Sequence, residues 1–141
     1  MSERFSEWKK PYIDRQGWAY PDYHSSPYNL AYGWRCQHPD GLKLGDRVDI
    51  GCFTYMNAYC GIIICDDVQI GSHCSIYSHD TENNKKGSVV IGKGALIGSH
   101  STILPGAKIP DKKKIPAYSL IYEKYGRTKI CVQKRKWEFI D

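Results

Sequence analysis

The sequence predicts an all-β chain wound as a parallel β-helix, and three observations predict it. Aliphatic residues recur every six positions, as Leu44, Ile50 and Met56, then Ile64, Ile70 and Ile76, then Ile91, Ile97, Ile103 and Ile109. The residue after the aliphatic is often glycine: Gly45, Gly51, Gly71, Gly92 and Gly98. Four places after the aliphatic stands a small residue: Val48, Thr54, Cys60, Val68, Cys74, Ala95, Ser101 and Ala107. Helices repeat near about 3.6 residues and strands near about 2, so neither sustains this beat. A short repeat held over several units marks a stacked solenoid, and a hexapeptide repeat marks a β-helix.

Each hexad is then a short strand plus a corner. The aliphatic and the small residue point inward, and glycine eases the turn between flat faces. Three hexads close one triangular coil, and coils stack at about 4.8 Å, the spacing of neighbouring strands. The repeat predicts about four coils over residues 42–121, with the regular beat read as ending after Ile109.

The phase slips twice, between Met56 and Ile64 and between Ile76 and Ile91. Insertions in solenoids become loops on one side, often the binding side. The second slip is polar and turn-rich, so residues 80–89 are expected to project from the column.

The flanks read differently. Residues 1–41 carry Trp8, Tyr12, Trp18, Tyr20, Tyr23, Tyr28, Tyr32 and Trp34. They are expected to cap the open end of the column, which solenoids need, with a short helix over 2–10 stopping before Pro11. An aromatic platform for a sugar or base ring is the other reading. Residues 122–141 form a basic tail in which neither helix nor strand is favoured.

With 141 residues the chain is expected to be one domain, 1–141. Its core is thin and its flat faces exposed, which suits a threefold assembly, a homotrimer. No apolar run approaches the roughly 20 residues of a membrane-spanning helix. No basic-then-apolar leader opens the sequence, so a cytoplasmic location is expected. The six cysteines contain no CxxC pair. With Cys60 and Cys74 at inward positions, they read as reduced structural thiols. Residues 108–136 carry a local net charge of +8 within an overall +5, so the remainder carries −3. Such a cluster suits a phosphorylated ligand. Nucleic acid is disfavoured because no recognised binding motif accompanies the charge.

Between Ser75 and Gly106 the pattern becomes specific. Ser-Ile-Tyr-Ser-His-Asp, a polar loop, and Val-Val-Ile-Gly-Lys-Gly-Ala-Leu-Ile-Gly-Ser-His-Ser-Thr-Ile-Leu-Pro-Gly resemble the hexapeptide-repeat acyltransferases. Within that superfamily the chain is most similar to the sugar and galactoside O-acetyltransferase branch. The resemblance covers about residues 42–122, including Ile115-Pro-Ala-Tyr-Ser-Leu-Ile121. It implies a left-handed β-helix, a homotrimer with active sites between subunits, and acetyl-CoA as donor. His79 matches the family's catalytic histidine, and the loop after it matches the substrate-side loop. The chain departs from the family in having only residues 107–115 where two more hexads are usual, along the donor tract.

The implied chemistry is direct transfer. A histidine titrating near neutrality takes the proton from an acceptor hydroxyl or amine, which attacks the thioester. Asp80, Glu82, Asn84, His73 and His100 are the expected acceptor-side residues. Ser99, Lys108, Lys112, Lys113 and Lys114 are the expected donor-side residues, the lysines meeting CoA phosphates as point charges. No metal is expected. Two alternatives stand beside this reading. One is a non-catalytic trimeric scaffold. The other is a zinc enzyme similar to the γ-class carbonic anhydrases, using His73, His79 and His100, although their spacing does not reproduce that family's ligand pattern.

Overall fold

The computed structural model describes residues 18, 20–23 and 32–132. The helix expected over 2–10 lies outside these, as does the tail beyond residue 132.

The hexads form the predicted column of parallel strands. The first face stacks β2 (Leu42–Leu44), β5 (Ile62–Ile64), β10 (Val89–Ile91) and β13 (Lys108–Ile109). The second stacks β3 (Asp49–Ile50), β6 (Gln69–Ile70), β11 (Leu96–Ile97) and β14 (Lys114–Ile115). The third stacks β1 (Arg35–Gln37), β4 (Tyr55–Asn57), β7 (Ser75–Tyr77), β12 (Thr102–Ile103), β15 (Ser119–Lys124) and, antiparallel at its edge, β16 (Arg127–Val132). A small hairpin of β8 (His79–Asp80) and β9 (Lys85–Lys86) stands outside the column.

The register turns the beat into ladders. Leu44, Ile64, Ile91 and Ile109 pair in sequence up the first face. Ile50, Ile70, Ile97 and Ile115 do so up the second, and Met56, Ile76, Ile103 and Ile121 up the third. All twelve are buried. Each fully buried aliphatic contributes about 1.5–3 kcal/mol of transfer free energy, so the ladders dominate the stability of the column. They also correct the sequence reading. The beat does not stop after Ile109, because Ile115 and Ile121 follow in phase and complete the fourth coil.

The corners correct two further expectations. The glycines after the aliphatics are not there to supply a left-handed backbone. A Cβ on Gly98 would lie 2.3 Å from the Ala117 nitrogen in the next coil, so glycine lets the coils approach. The left-handed conformation falls instead on side-chain-bearing residues, including Arg47, Asp67 and Lys112 at the first corner and Phe53, His73, His100 and Tyr118 at the second. The second correction concerns Cys60, which is only partly buried. Ala58 takes the inward place at 0% exposure, because the extra residues between Met56 and Ile64 widen that turn. All six cysteines are unpaired, and burial pushes the Cys36 thiol up to about 12.

The described aromatic residues before β1 close the lower end. β2 is the edge strand of the first face. Tyr23 donates its hydroxyl to the Leu42 carbonyl at 2.8 Å, Tyr20 to Leu44 at 2.8 Å, and the Trp18 indole N–H to Val48 at 2.7 Å. Edge carbonyls that would otherwise face the open end are thereby satisfied. Tyr23 and Trp34 join the core itself, so these two rings offer no free platform. At the upper end the segment after Ile121, which showed no pattern in sequence, is the β15–β16 hairpin. Among the described residues no helix is long and apolar enough to cross a membrane.

Candidate active site

The hairpin leaves the column at Ser78, and Ser78 holds the junction. It is fully buried. Its N–H and its hydroxyl both donate to the Asn57 carbonyl, at 2.9 and 2.7 Å, and its hydroxyl accepts the Cys60 N–H at 2.9 Å. The chain returns where the Gly87 N–H donates to the Ser78 carbonyl at 2.9 Å. The long insertion thus opens and closes at one rung, which places His79 at the rim of the column. The expected projecting loop is this hairpin, with His79 opposite Lys86, Asp80 opposite Lys85, and residues 81–84 exposed at its turn.

A cleft of about 700 Å³ lies between the hairpin and the outer surface of the third face. Gln37, Asn57 and Tyr77 share one row across β1, β4 and β7 and form its floor, with Tyr55 beside them. Tyr55 donates its hydroxyl to the Gln37 amide oxygen. Leu104 lines the cleft from the next coil, and Thr81, Glu82 and Lys86 line it from the hairpin. His38, Tyr59 and His79 form a wall of rings. The His38 and Tyr59 centroids are 5.0 Å apart, and those of Tyr59 and His79 are 5.2 Å apart. Among the described residues no group hydrogen-bonds either ring nitrogen of His79. An imidazole in this position is free to exchange a proton with a molecule in the cleft.

The other expected residues divide. Asp80 and Glu82 line the cleft. The Asp80 carboxylate, however, accepts the Asn83 amide at 2.9 Å and the Glu82 N–H at 3.1 Å. The Asn83 side chain is the main cause holding that carboxyl below its usual range. Asp80 therefore shapes the hairpin turn and reaches the imidazole of His79 through its charge, without a hydrogen bond to it. Asn84 is exposed in a left-handed turn conformation and stays outside the cleft.

His73 and His100 lie on the second corner, apart from His79. Their rings stack at 4.8 Å within a ladder that runs from Phe53 to Tyr118. They do not line the cleft of this chain, because the left-handed corner residues point outward along their own edge. Ser99 sits beside His100 at that corner, its carbonyl accepting the Tyr118 N–H at 3.0 Å. The four lysines are not one patch. Lys108 lies on the first face, where its ammonium donates to the Ser88 carbonyl and hydroxyl at 2.8 and 3.0 Å. Lys112 and Lys113 occupy the first corner and Lys114 the second face, all exposed. Among the described residues no cluster of three or more His, Cys, Asp or Glu side chains is disposed to hold a metal ion.

Sequence reasoning missed His38, Tyr59 and Asn57. The available signal was the coil length: His38 and Tyr59 precede His79 by about two coils and one coil, so they rise along the same corner.

No protein-family model matches the chain, and no curated protein matches it in sequence. Solved structures do. One is a hexapeptide-repeat-containing acetyltransferase complexed with acetyl coenzyme A from Vibrio cholerae O1 biovar eltor. It is 19% identical over 73% of this chain and 66% of that one, with a TM-score of 0.52. Another is AntD, an N-acyltransferase from Bacillus cereus in complex with dTDP and 3-hydroxybutyryl-CoA, 17% identical over 73% of this chain and 78% of that one, TM-score 0.44. A serine acetyltransferase in complex with cysteine is 17% identical over 75% of this chain and 43% of that one, TM-score 0.32. The likeness to the Vibrio protein shows the fold, and the other two add nothing to it. The chain spans 66% of the Vibrio protein's length, just under two thirds. The fold defines the class: a β-solenoid of hexapeptide repeats.

Proposed function

We propose that this chain is an acyl-CoA-dependent acyltransferase that acetylates a hydroxyl or amine of a sugar or nucleotide-linked sugar. The observation that carries the reading is His79 itself. Its ring stands at the rim of the column, faces a cleft of about 700 Å³, and has both nitrogens unengaged among the described residues. The resemblance in sequence around it supports the same reading.

In this reaction His79 accepts the proton of the acceptor as the acceptor oxygen or nitrogen bonds to the thioester carbonyl carbon. The tetrahedral intermediate collapses with cleavage of the C–S bond, and the imidazolium returns the proton to the CoA thiolate. A positioned base of this kind contributes about 10²–10⁴-fold. Gln37, Asn57 and the Tyr55 and Tyr77 rings offer the acceptor amide groups and apolar faces, the combination a sugar ring requires.

The exposed Lys112 and Lys113 at the first corner, with Lys114 next to them, meet the CoA phosphates. The protein works in the cytoplasm as a homotrimer. The exposed ring ladder of the second corner supports self-association, since a thin solenoid leaves such edges uncovered.

The test is a screen of acetyl-CoA against free-sugar and nucleotide-sugar acceptors, following thiol release. Acceptor-dependent release is expected. Its absence, together with no binding of acetyl-CoA by calorimetry, would favour a trimeric scaffold.

A further inference from the structure

A catalytic imidazole is usually held by a hydrogen bond that its second ring N–H donates, often to a carboxylate. His79 lacks that support among the described residues, and its neighbour Asp80 is committed to the hairpin turn. What touches the ring is Tyr59, at 5.2 Å between centroids and 33° between planes.

The backbone under these two rings is fixed with unusual completeness. The Tyr59 N–H donates to the Asn57 side-chain oxygen at 3.1 Å. The next N–H, of Cys60, donates to the Ser78 hydroxyl, and Ser78 is bonded back to the Asn57 carbonyl. Asn57, Tyr59, Cys60 and Ser78 are thus one hydrogen-bonded unit, and His79 follows Ser78 directly. The far side of Tyr59 is backed by His38, whose left-handed backbone starts a short 3₁₀ turn. That turn is pressed against the same corner. A Cβ on Gly41 would lie 1.9 Å from the Ala58 carbonyl oxygen, so only glycine permits the approach.

We propose that Tyr59 is the positioning residue for His79: its ring, backed by His38, sets the plane from which the imidazole meets the acceptor. The catalytic consequence rests on the acyltransferase reading above, whereas the orientation itself does not. The ring face also suits the imidazolium that forms when the proton is taken, since aromatic faces attract cations. The phenol hydroxyl has no part in this, so phenylalanine suffices at the position.

The experiment compares Tyr59→Phe with Tyr59→Leu. Tyr59 is 56% exposed, so its replacement leaves the core intact. Should Tyr59→Leu fail to fold, His38→Ala disturbs the same stack from further away. The orientation of the His79 ring, followed by NMR, is read from the nuclear Overhauser effects between its ring protons and its own Hα and Hβ, which do not depend on a neighbouring ring current. Their pattern should be kept in Tyr59→Phe and change in Tyr59→Leu, and by less in His38→Ala. In turnover, Tyr59→Leu should lower kcat about tenfold or more with both KM values little changed, and Tyr59→Phe should restore it. An unchanged His79 pattern in Tyr59→Leu would overturn the proposal, as would a loss confined to the acceptor KM. If no variant and no native protein transfers an acyl group, the orientation pattern of His79 alone decides the positioning, and the activity reading fails separately.

Discussion

The Lys85 ammonium donates to the Glu123 backbone carbonyl at 2.9 Å and lies 3.3 Å from its carboxylate, joining the hairpin beside His79 to the C-terminal hairpin. The Glu123 carboxylate also accepts the Gly126 N–H at 2.6 Å. That bond, and then Lys85, hold the carboxyl below its usual range. A carboxyl depressed in the fold stabilises the fold above its unfolded titration, and this contribution is lost as the pH falls through the depressed value. Acidification below the ordinary carboxylate range should therefore release the hairpin. Lys85→Ala should do the same at neutral pH. Amide exchange of residues 79–86 should rise while the melting temperature barely changes, because exposed ion pairs contribute little to global stability.

Ser78 offers a sharper stability test. Replacing it with alanine leaves the Cys60 N–H without its buried acceptor and removes one of the bonds to the Asn57 carbonyl. Stranding buried polar groups costs about 1–3 kcal/mol, far more than the loss of an exposed hydroxyl. Urea unfolding of Ser78→Ala should show that loss as a lower midpoint with an unchanged slope.

Two glycines separate coil approach from backbone conformation. Gly98→Ala puts a Cβ 2.3 Å from the Ala117 backbone nitrogen, which no side-chain movement relieves. A Cβ on Gly126 would meet nothing within 4 Å among the described residues beyond its chain neighbours, and the cost is that of a left-handed alanine, about 1–2 kcal/mol. Thermal unfolding should rank Gly98→Ala well below Gly126→Ala, with a cost of about 3 kcal/mol or more.

Replacing Lys112, Lys113 and Lys114 together by glutamine should raise KM for acetyl-CoA several-fold at constant kcat. The effect should vanish with acetyl-dephospho-CoA. Equal affinity of the native protein for the two donors would remove these lysines from a grip on the 3′-phosphate.

The column was legible in sequence because its cause is one-dimensional. An inward residue at every sixth place fixes coil, face and register together, so the stacking of Ile64, Ile70 and Ile76 on Ile91, Ile97 and Ile103 could be counted before it was seen. The place of His79 at the rim of the column was legible for the same reason, at the point where counting fails. Its surroundings were not. Tyr59 and His38 reach His79 only across coils whose length is altered by the insertion after Met56, and that insertion also exchanged Ala58 for Cys60 at the inward position. Asp80 looked like a partner for the imidazole because it is adjacent in sequence. The hairpin turn offers its carboxylate nearer donors in Glu82 and Asn83. The β15–β16 hairpin carries no alternating pattern, since β16 lies at a sheet edge with few buried side chains.

The most direct test of the central claim is His79→Ala, assayed for acetyl transfer with an accepted substrate beside its thermal stability. Losing a side chain on the rim should leave the melting transition intact while kcat falls by about 10²–10⁴-fold, with acetyl-CoA still bound. A folded His79→Ala protein that keeps full transferase activity would contradict the assignment of this cleft as the catalytic site.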